Sequence, residues 1–281
     1  MSVNTDQNTN SNSNIIANSK NEASGINTNA PQEKTAKSDT KTNTNSHKNS
    51  PNPEVIRQMF SKVAGNYDKA NTVLSAGVHH LWRKKLVRLS KASAGQKVLD
   101  CATGTGDLAI EFKKAVGATG VVLGTDFCKE MLDFAPQKAK QLGLEINFEI
   151  ADAMNLQYPD QQFDISSISF GIRNVANPAK AISEMARVVK PGGKVIVLEF
   201  GQPSIPLFSE LYNFYSNKVL PKIGGWVTGQ AQAYEYLQKS SAAFPCREEF
   251  VKIMNNTQAF TSVKYYPLTG GIAYIYIGER K

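Results

Sequence analysis

The chain has few of the residues that build disulfide frameworks or metal centres. Its 281 residues hold three cysteines and three histidines. Cys101, Cys128 and Cys246 are odd in number, far apart and never in C-x-x-C spacing, which suits a reducing cytoplasm and excludes a disulfide scaffold. The histidines are His47 and the pair His79-His80, and no His/Cys/acid set has zinc spacing, so no metal is expected. No segment approaches the ~20 apolar residues of a membrane-spanning helix. Residues 1–50 lack Phe, Tyr, Trp and Arg, and their longest apolar run is Ile15-Ile16-Ala17, too short for a signal sequence. Rich in Asn, Ser and Thr, this stretch cannot bury enough apolar surface to offset the entropy of ordering and is expected to be a disordered tail. The formal charge is +8, of which the tail's five lysines and four acids supply +1, so about +7 belongs to the remainder. No basic stripe is interleaved with aromatic residues, so a nucleic-acid partner is not expected.

The glycine-rich stretch is also defined by what it omits. In Lys97-Val98-Leu99-Asp100-Cys101-Ala102-Thr103-Gly104-Thr105-Gly106-Asp107, an apolar strand ends in an acid, turns through two glycines and opens an amphipathic helix. Glycine serves where the backbone needs positive φ or must approach a ligand with no Cβ in the way. The third glycine of a dinucleotide fingerprint is missing, as is the Lys-Ser/Thr pair of a phosphate-binding P-loop. A nucleoside ligand without phosphates suits this loop better, with Gly104 and Gly106 shaping it and Thr105 facing the ligand. Asp107 serves equally well as a helix cap.

From Lys97 onward strand-like and helix-like patterns alternate. This predicts an α/β fold of the Rossmann-like type, a mostly parallel sheet with helices on both faces. Strands are expected near 97–101, 121–125, 146–150, 163–169 and 194–199, with helices near 107–115, 129–142 and 178–190. The last of these is expected to stop at Pro191-Gly192-Gly193. An aromatic-rich insertion over 201–245, a helix near 247–256 and strands at 262–267 and 272–277, paired as an antiparallel hairpin, complete the folded unit expected over 51–281. Its start, 51–95, reads as a helical cap, with apolar spacing over Glu54–Phe60, a break at Val63–Asp68 and a second helix from Ser75 to Ser90.

Ligands of open parallel sheets bind at the carboxyl ends of the strands. There the first strand ends at Asp100, and Asp126 closes the second strand 20 residues after Gly106, where a carboxylate can accept from both hydroxyls of a ribose. Asp152-Ala153 follow the third strand, with the acid suited to an adenine amine. Ser169 ends the fourth. Each acid alone is usually a turn former or cap. Their succession beyond a glycine loop favours a nucleoside site.

These residues, with Pro191-Gly192-Gly193, resemble a class I S-adenosylmethionine-dependent methyltransferase. Longer strings resemble the ubiquinone/menaquinone biosynthesis C-methyltransferases: Ser169-Phe170-Gly171-Ile172-Arg173-Asn174-Val175, Val197-Leu198-Glu199-Phe200, Val219-Leu220-Pro221-Lys222-Ile223-Gly224, Leu268-Thr269-Gly270-Gly271 and Phe60-Ser61-Lys62-Val63-Ala64-Gly65-Asn66-Tyr67-Asp68. The likeness spans roughly 54–280. It departs at Cys101-Ala102-Thr103, where the family has Leu-Ala-Gly and Thr103 is expected to tighten the loop. The resemblance implies S-adenosylmethionine as cofactor, held at Thr105, Asp126, Asp152 with Ala153, and Ser169, beside Asp100, Gly104 and Gly106. It also implies a polyprenyl quinol substrate methylated on ring carbon, a benzoquinol or a naphthoquinol.

Methyl transfer to ring carbon needs a dry pocket, an electron-rich ring and an acceptor for a proton. Arg173 is placed to hold a quinol oxygen as a charged donor, Asn174 to orient it, and Tyr67 to cover the site. The alternative for Arg173 is a salt bridge shaping its loop. Candidate bases are His79, His80 or a water held by Arg173 and Asn174. The insertion's Pro206–Tyr215 and Ile223–Val227 stretches suit a lipid tunnel, a lid or a dimer face. Together with the basic helix carrying Arg83, Lys84, Lys85 and Arg88 they suggest a cytoplasmic protein in peripheral contact with the inner face of the membrane, with a second copy of the chain as a further partner. Small-molecule O-methylation would use the same cofactor half.

Overall fold

A computed structural model describes residues 51–203 and 205–281; the tail expected over 1–50 lies outside them. Apolar runs become strands here because both faces of the sheet are covered. The strands are β1 (Lys97–Cys101), β2 (Val121–Asp126), β3 (Asn147–Ile150), β4 (Phe163–Ser169), β5 (Val189–Phe200), β6 (Phe260–Leu268) and β7 (Ala273–Arg280). Their order is β3-β2-β1-β4-β5-β7-β6. The first five are parallel, and β7 runs antiparallel to both β5 and β6. The expected fold and hairpin are both present. Successive residues of β5 alternate between two cores: Val195 and Val197 pack on one face with Met185 and Phe250, while Ile196 and Leu198 pack on the other with Leu86 and Phe112.

The helices are α1 (Pro53–Val63), α2 (Tyr67–Leu74), α3 (Val78–Ser90), α4 (Asp107–Val116), α5 (Lys129–Leu132), α6 (Ala135–Gln141), α7 (Pro178–Arg187), α8 (Pro206–Phe214), α9 (Leu220–Thr228), α10 (Ala231–Ala243) and α11 (Glu248–Asn256). Asn52 caps α1 by accepting from the Glu54 amide at 3.0 Å. The expected break at Val63–Asp68 is only a tight turn over Ala64–Asn66, and α2 restarts at Tyr67. The helix expected from Ser75 begins later, at Val78, because Ala76 and Gly77 take positive φ.

Two further boundaries differ from the sequence pattern. The single helix expected over 129–142 is split into α5 and α6, with Pro136 in the first turn of the second piece. Proline has no amide to continue the preceding helix. The helix expected to reach residue 190 ends at Arg187, and β5 begins ahead of the Pro191-Gly192-Gly193 turn. The pairing of β4 with β5 jumps from Phe163–Val189 to Ile165–Lys194, so those residues form a bulge inside the strand rather than a connection before it.

Candidate active site

The order of the sheet reverses between β1 and β4, and connections there leave in opposite directions, opening a crevice above the strand ends. The loop after β1 enters that crevice with positive φ at Ala102, Gly104 and Gly106. Asp100 sits beneath it, fully buried. Its two oxygens accept from Thr103 Oγ1 and Ser167 Oγ, each at 2.7 Å. Burial pushes its pKa up to about 6. Asp100 is therefore a clamp for the loop, not a wall of the cavity, and Thr103 tightens the turn through that bond.

A cavity of about 140 Å³ lies above the loop, lined by Gly104, Asp126, Asp152, Ala153 and Ser169, with Tyr67 and Asn174 at its rim. These are five of the residues read from the sequence as a cofactor site and two of those read as catalytic. Asp126 accepts from the amides of Gly104 and Cys128, each at 2.8 Å. Burial nevertheless pushes its pKa up to about 6. Asp152 accepts from the Met154 amide at 2.8 Å. Gly124 must be glycine, since a Cβ there would fall 2.7 Å from the Phe148 ring. The acceptor set fits a nucleoside: successive carboxylates for hydroxyls and an amine, apolar Met131 and Phe127 beside them, and a lining cation, Arg57, that is already paired with Glu54 and Glu130. Thr105 and Gly106 lie behind this wall. Thr105 instead donates from Oγ1 to Asp68 Oδ1 at 2.6 Å.

A second, larger cavity of about 220 Å³ adjoins the first, and Phe60, Tyr67 and Phe170 line both. Its walls come from α2, α3, α9, α10 and the ends of β4 and β5, and include Trp82, Phe200 and Leu220. Arg173 reaches this cavity. Its Nη1 donates to Glu199 Oε1 at 2.7 Å and to the Phe170 carbonyl at 2.6 Å, and its Cζ lies 5.4 Å from the Phe200 ring centre. Arg173 forms the salt bridge that one reading expected, and it also lines the cavity. Its Nε has no hydrogen-bond partner. Asn174 accepts from the Tyr236 hydroxyl at 3.0 Å. Burial raises the Tyr67 pKa, keeping its hydroxyl neutral.

Glu199, Tyr236 and Phe170 are site residues that the sequence did not single out for a role, and Arg83, read from the sequence as part of a basic face toward the membrane, is instead buried. A carboxylate inside the apolar run Val195–Phe200 was the available signal for Glu199, since a lone buried charge demands a partner. Arg83 lines the larger cavity, and its Nη1 lies 2.9 Å from Asp107 Oδ2. Lys138 also contacts Asp107 and bonds Asp68 at 2.6 Å. Of the two histidines, His79 lines the cavity and is buried, whereas His80 is exposed. His79, His80 and Asp107 place ligand-type atoms within 4.8 Å of one another, a grouping the spacing did not reveal. Asp107 is already held by two cations there, which oppose a metal ion.

A family model described as the ubiE/COQ5 methyltransferase family matches residues 43–280. A protein of Bdellovibrio bacteriovorus named ubiquinone/menaquinone biosynthesis C-methyltransferase UbiE is 69% identical over 83% of this chain and 98% of its own length. One of Deinococcus radiodurans named demethylmenaquinone methyltransferase is 42% identical over 81% of this chain and 93% of its own. A solved SAM-dependent methyltransferase from Thermotoga maritima shares the fold with a TM-score of 0.57 at 18% identity, covering 80% of this chain and 100% of that one. With the family model and both relatives matching most of its length, the chain belongs to the ubiE/COQ5 methyltransferase family.

Proposed function

We propose that the protein methylates a ring carbon of a polyprenyl quinol, a demethylmenaquinol or a methoxy-polyprenyl-benzoquinol, with S-adenosylmethionine as methyl donor. The observation that carries this reading is the pair of adjoining cavities, one with carboxylates at its strand ends and one walled by aromatic side chains, sharing Phe60, Tyr67 and Phe170. The relatives' names supply the substrate class. Bound S-adenosylmethionine supplies an electrophilic methyl group on a sulfonium. Asp126 then accepts from the ribose hydroxyls, Asp152 and Ala153 meet the adenine, and Ser169 and Gly104 border the remainder. Arg173 donates to a ring oxygen and favours its ionised form, which makes the ring carbon a better nucleophile. Glu199 and the Phe170 carbonyl hold its guanidinium in place, and Tyr236 fixes Asn174 beside it. Aromatic walls exclude water, which strengthens both contacts.

The test is methyl transfer from labelled S-adenosylmethionine to two reduced short-tail quinols, a naphthoquinol and a methoxy-benzoquinol. Methylated quinol from either ring supports the reading, and the preferred ring identifies the acceptor. Cofactor binding with no product from either ring overturns it.

No helix among the described residues is long and apolar enough to cross a membrane. Access to a lipid substrate rests on the helices after β5. Leu211, Phe214 and Trp226 are 66%, 62% and 88% exposed, while Tyr212 and Leu220 of the same helices line the larger cavity. These helices dip into the headgroup layer of a bilayer and lead the prenyl tail to the cavity. Trp226→Ser and Phe214→Ser together weaken binding to anionic phospholipid vesicles. Unchanged binding overturns this reading, and loss of a dimer in the variant would instead make this face a contact between two copies of the chain.

A further inference from the structure

We propose that His79 takes the proton of the ring hydroxyl during methylation, and that Arg83, one helical turn further along α3, donates to the oxygen left without its proton. The proposal rests on the quinol reading above and names the proton acceptor for it. His79 and Arg83 are 4% and 6% exposed and line the same cavity as Arg173. Residues four apart share one face of a helix.

The hydrogen bonds fix which nitrogen of His79 is free. Ser75 Oγ lies 2.7 Å from the Asn71 carbonyl and 2.5 Å from His79 Nδ1. A carbonyl cannot donate, so the single serine proton goes to Asn71. Both contacts are hydrogen bonds only if Nδ1 carries a proton and donates to Ser75 Oγ. The bare lone pair is then on Nε2, which has no hydrogen-bond partner among the described residues. Arg83 supplies the complementary half. Its Nε and Nη1 are buried without a hydrogen-bond partner, Nη1 standing close to Asp107 but outside bonding geometry. Such donors are costly to leave unfilled, and a ring oxygen that has given up its proton fills them.

The charges around the imidazole keep it neutral. Burial first, then Arg83 and His80 on α3, hold its pKa down at about 4, with Asp107 of α4 acting the other way and Lys138 of α6 in the same sense. The cavity's tyrosines, Tyr67, Tyr212, Tyr215, Tyr234 and Tyr236, have pKa values raised by burial and add no charge. A weak base suffices. As the ring carbon takes the methyl group and the sulfur–methyl bond breaks, the hydroxyl oxygen gives its electrons to the ring and its proton becomes strongly acidic. That proton passes to Nε2, leaving a carbonyl at the oxygen. The methylated carbon then loses its hydrogen to water as a proton, the imidazolium returns its proton to the oxygen, and the aromatic hydroxyl is restored. One proton is released per turnover.

His79→Asn tests this, because the amide still donates to Ser75 Oγ but presents no basic nitrogen. We expect kcat with a short-tail naphthoquinol or methoxy-benzoquinol to fall about 100-fold, within the range of general-base losses, with S-adenosylhomocysteine binding unchanged. In the wild type, kcat should also decline as pH falls toward 4, and the variant should lose that limb. Arg83→Gln should lower kcat about tenfold. Wild-type turnover with His79→Asn retaining kcat overturns the base and leaves the quinol reading standing, whereas no wild-type product overturns both. Nitrogen-15 NMR of the wild-type imidazoles gives a check independent of turnover: a proton on Nε2 rather than Nδ1 of His79 overturns the proposal.

Discussion

The two cavities are built by opposite means. The smaller one is made by a sheet: its polar groups stand at the ends of adjacent parallel strands, and backbone amides of Gly104, Cys128 and Met154 orient its carboxylates. The larger one is made by helices from separate parts of the chain, with aromatic walls and charged groups that are fixed by one another, Arg173 by Glu199 and Arg83 by Asp107. The first arrangement follows from strand order alone. The second exists only once residues more than a hundred positions apart have packed, so it offers both more scope for substrate choice and more ways to fail.

The strongest way to break this contrast is to remove the charge that the helical cavity depends on. Arg173→Ala leaves Glu199, 1% exposed, without its ion-pair partner. Breaking a buried pair from one side costs about 3–5 kcal/mol, and loss of a transition-state donor costs about 100- to 1000-fold in kcat. The double variant Arg173→Met with Glu199→Gln carries no orphaned charge. It should regain most of the lost stability in thermal or urea unfolding while remaining inactive. If the double variant were active, Arg173 would be only a structural member of its loop.

The contrast also explains what could be read from the sequence. Asp126, Asp152 and Ser169 were legible because a strand end is a local pattern, and sheet topology brings such ends together regardless of side-chain detail. Asp100 and Thr105 were legible as important, but neither lines the smaller cavity. Both turn inward, because Asp100 is bonded by Thr103 and Ser167 and Thr105 is bonded by Asp68. Arg173 and Asn174 stood out through their string, yet Glu199 and Tyr236, which hold them, could not be paired from spacing across 26 and 62 residues. The β5 bulge was missed since Pro191-Gly192-Gly193 is a turn signal locally, and only pairing with β4 makes it strand.

On the strand-built side, Asp126→Asn should weaken S-adenosylmethionine binding about 10- to 100-fold, the worth of hydrogen bonds to a charged acceptor. Its pH dependence sharpens the point. Asp126 has its pKa pushed up to about 6 by burial, so the carboxylate needed by two hydroxyl donors is lost as pH falls through that value. Calorimetry should show the wild-type dissociation constant rising about tenfold per pH unit below 6, with no such rise in Asp126→Asn. For the protein without ligand the sign is reversed. A carboxyl raised above its unfolded value favours folding at low pH, and that contribution fades as pH climbs through 6.

Gly171 joins the two sides, and its replacement should disturb both by smaller amounts. A Cβ at Gly171 would fall 2.5 Å from Ala102 Cβ, wedging the loop that carries Arg173 away from the glycine loop. Overpacking of this kind costs about 1–3 kcal/mol. Gly171→Ala should therefore lower the melting temperature and weaken cofactor binding together. A loss confined to turnover would show that the loops move independently.

The smallest effect is expected where the cap meets the glycine loop. Asp68 on α2 accepts from Thr105 Oγ1 and from Lys138 Nζ, each at 2.6 Å, and Lys138 also holds Asp107 at the start of α4. This would be a strong coupling of cap to cofactor loop if it were buried. The Asp68 side chain is 42% exposed, however, and solvent screens most of the attraction. Asp68→Asn keeps an acceptor for Thr105 and removes the charge, so the stability loss should stay below about 1 kcal/mol and shrink further in high salt. Cofactor affinity should change by no more than about threefold, since Thr105 retains its bond. A larger, salt-insensitive loss would mean that Lys138, once released from Asp68, repels the cofactor's sulfonium, and the strand-built cavity would then depend on the helical cap after all.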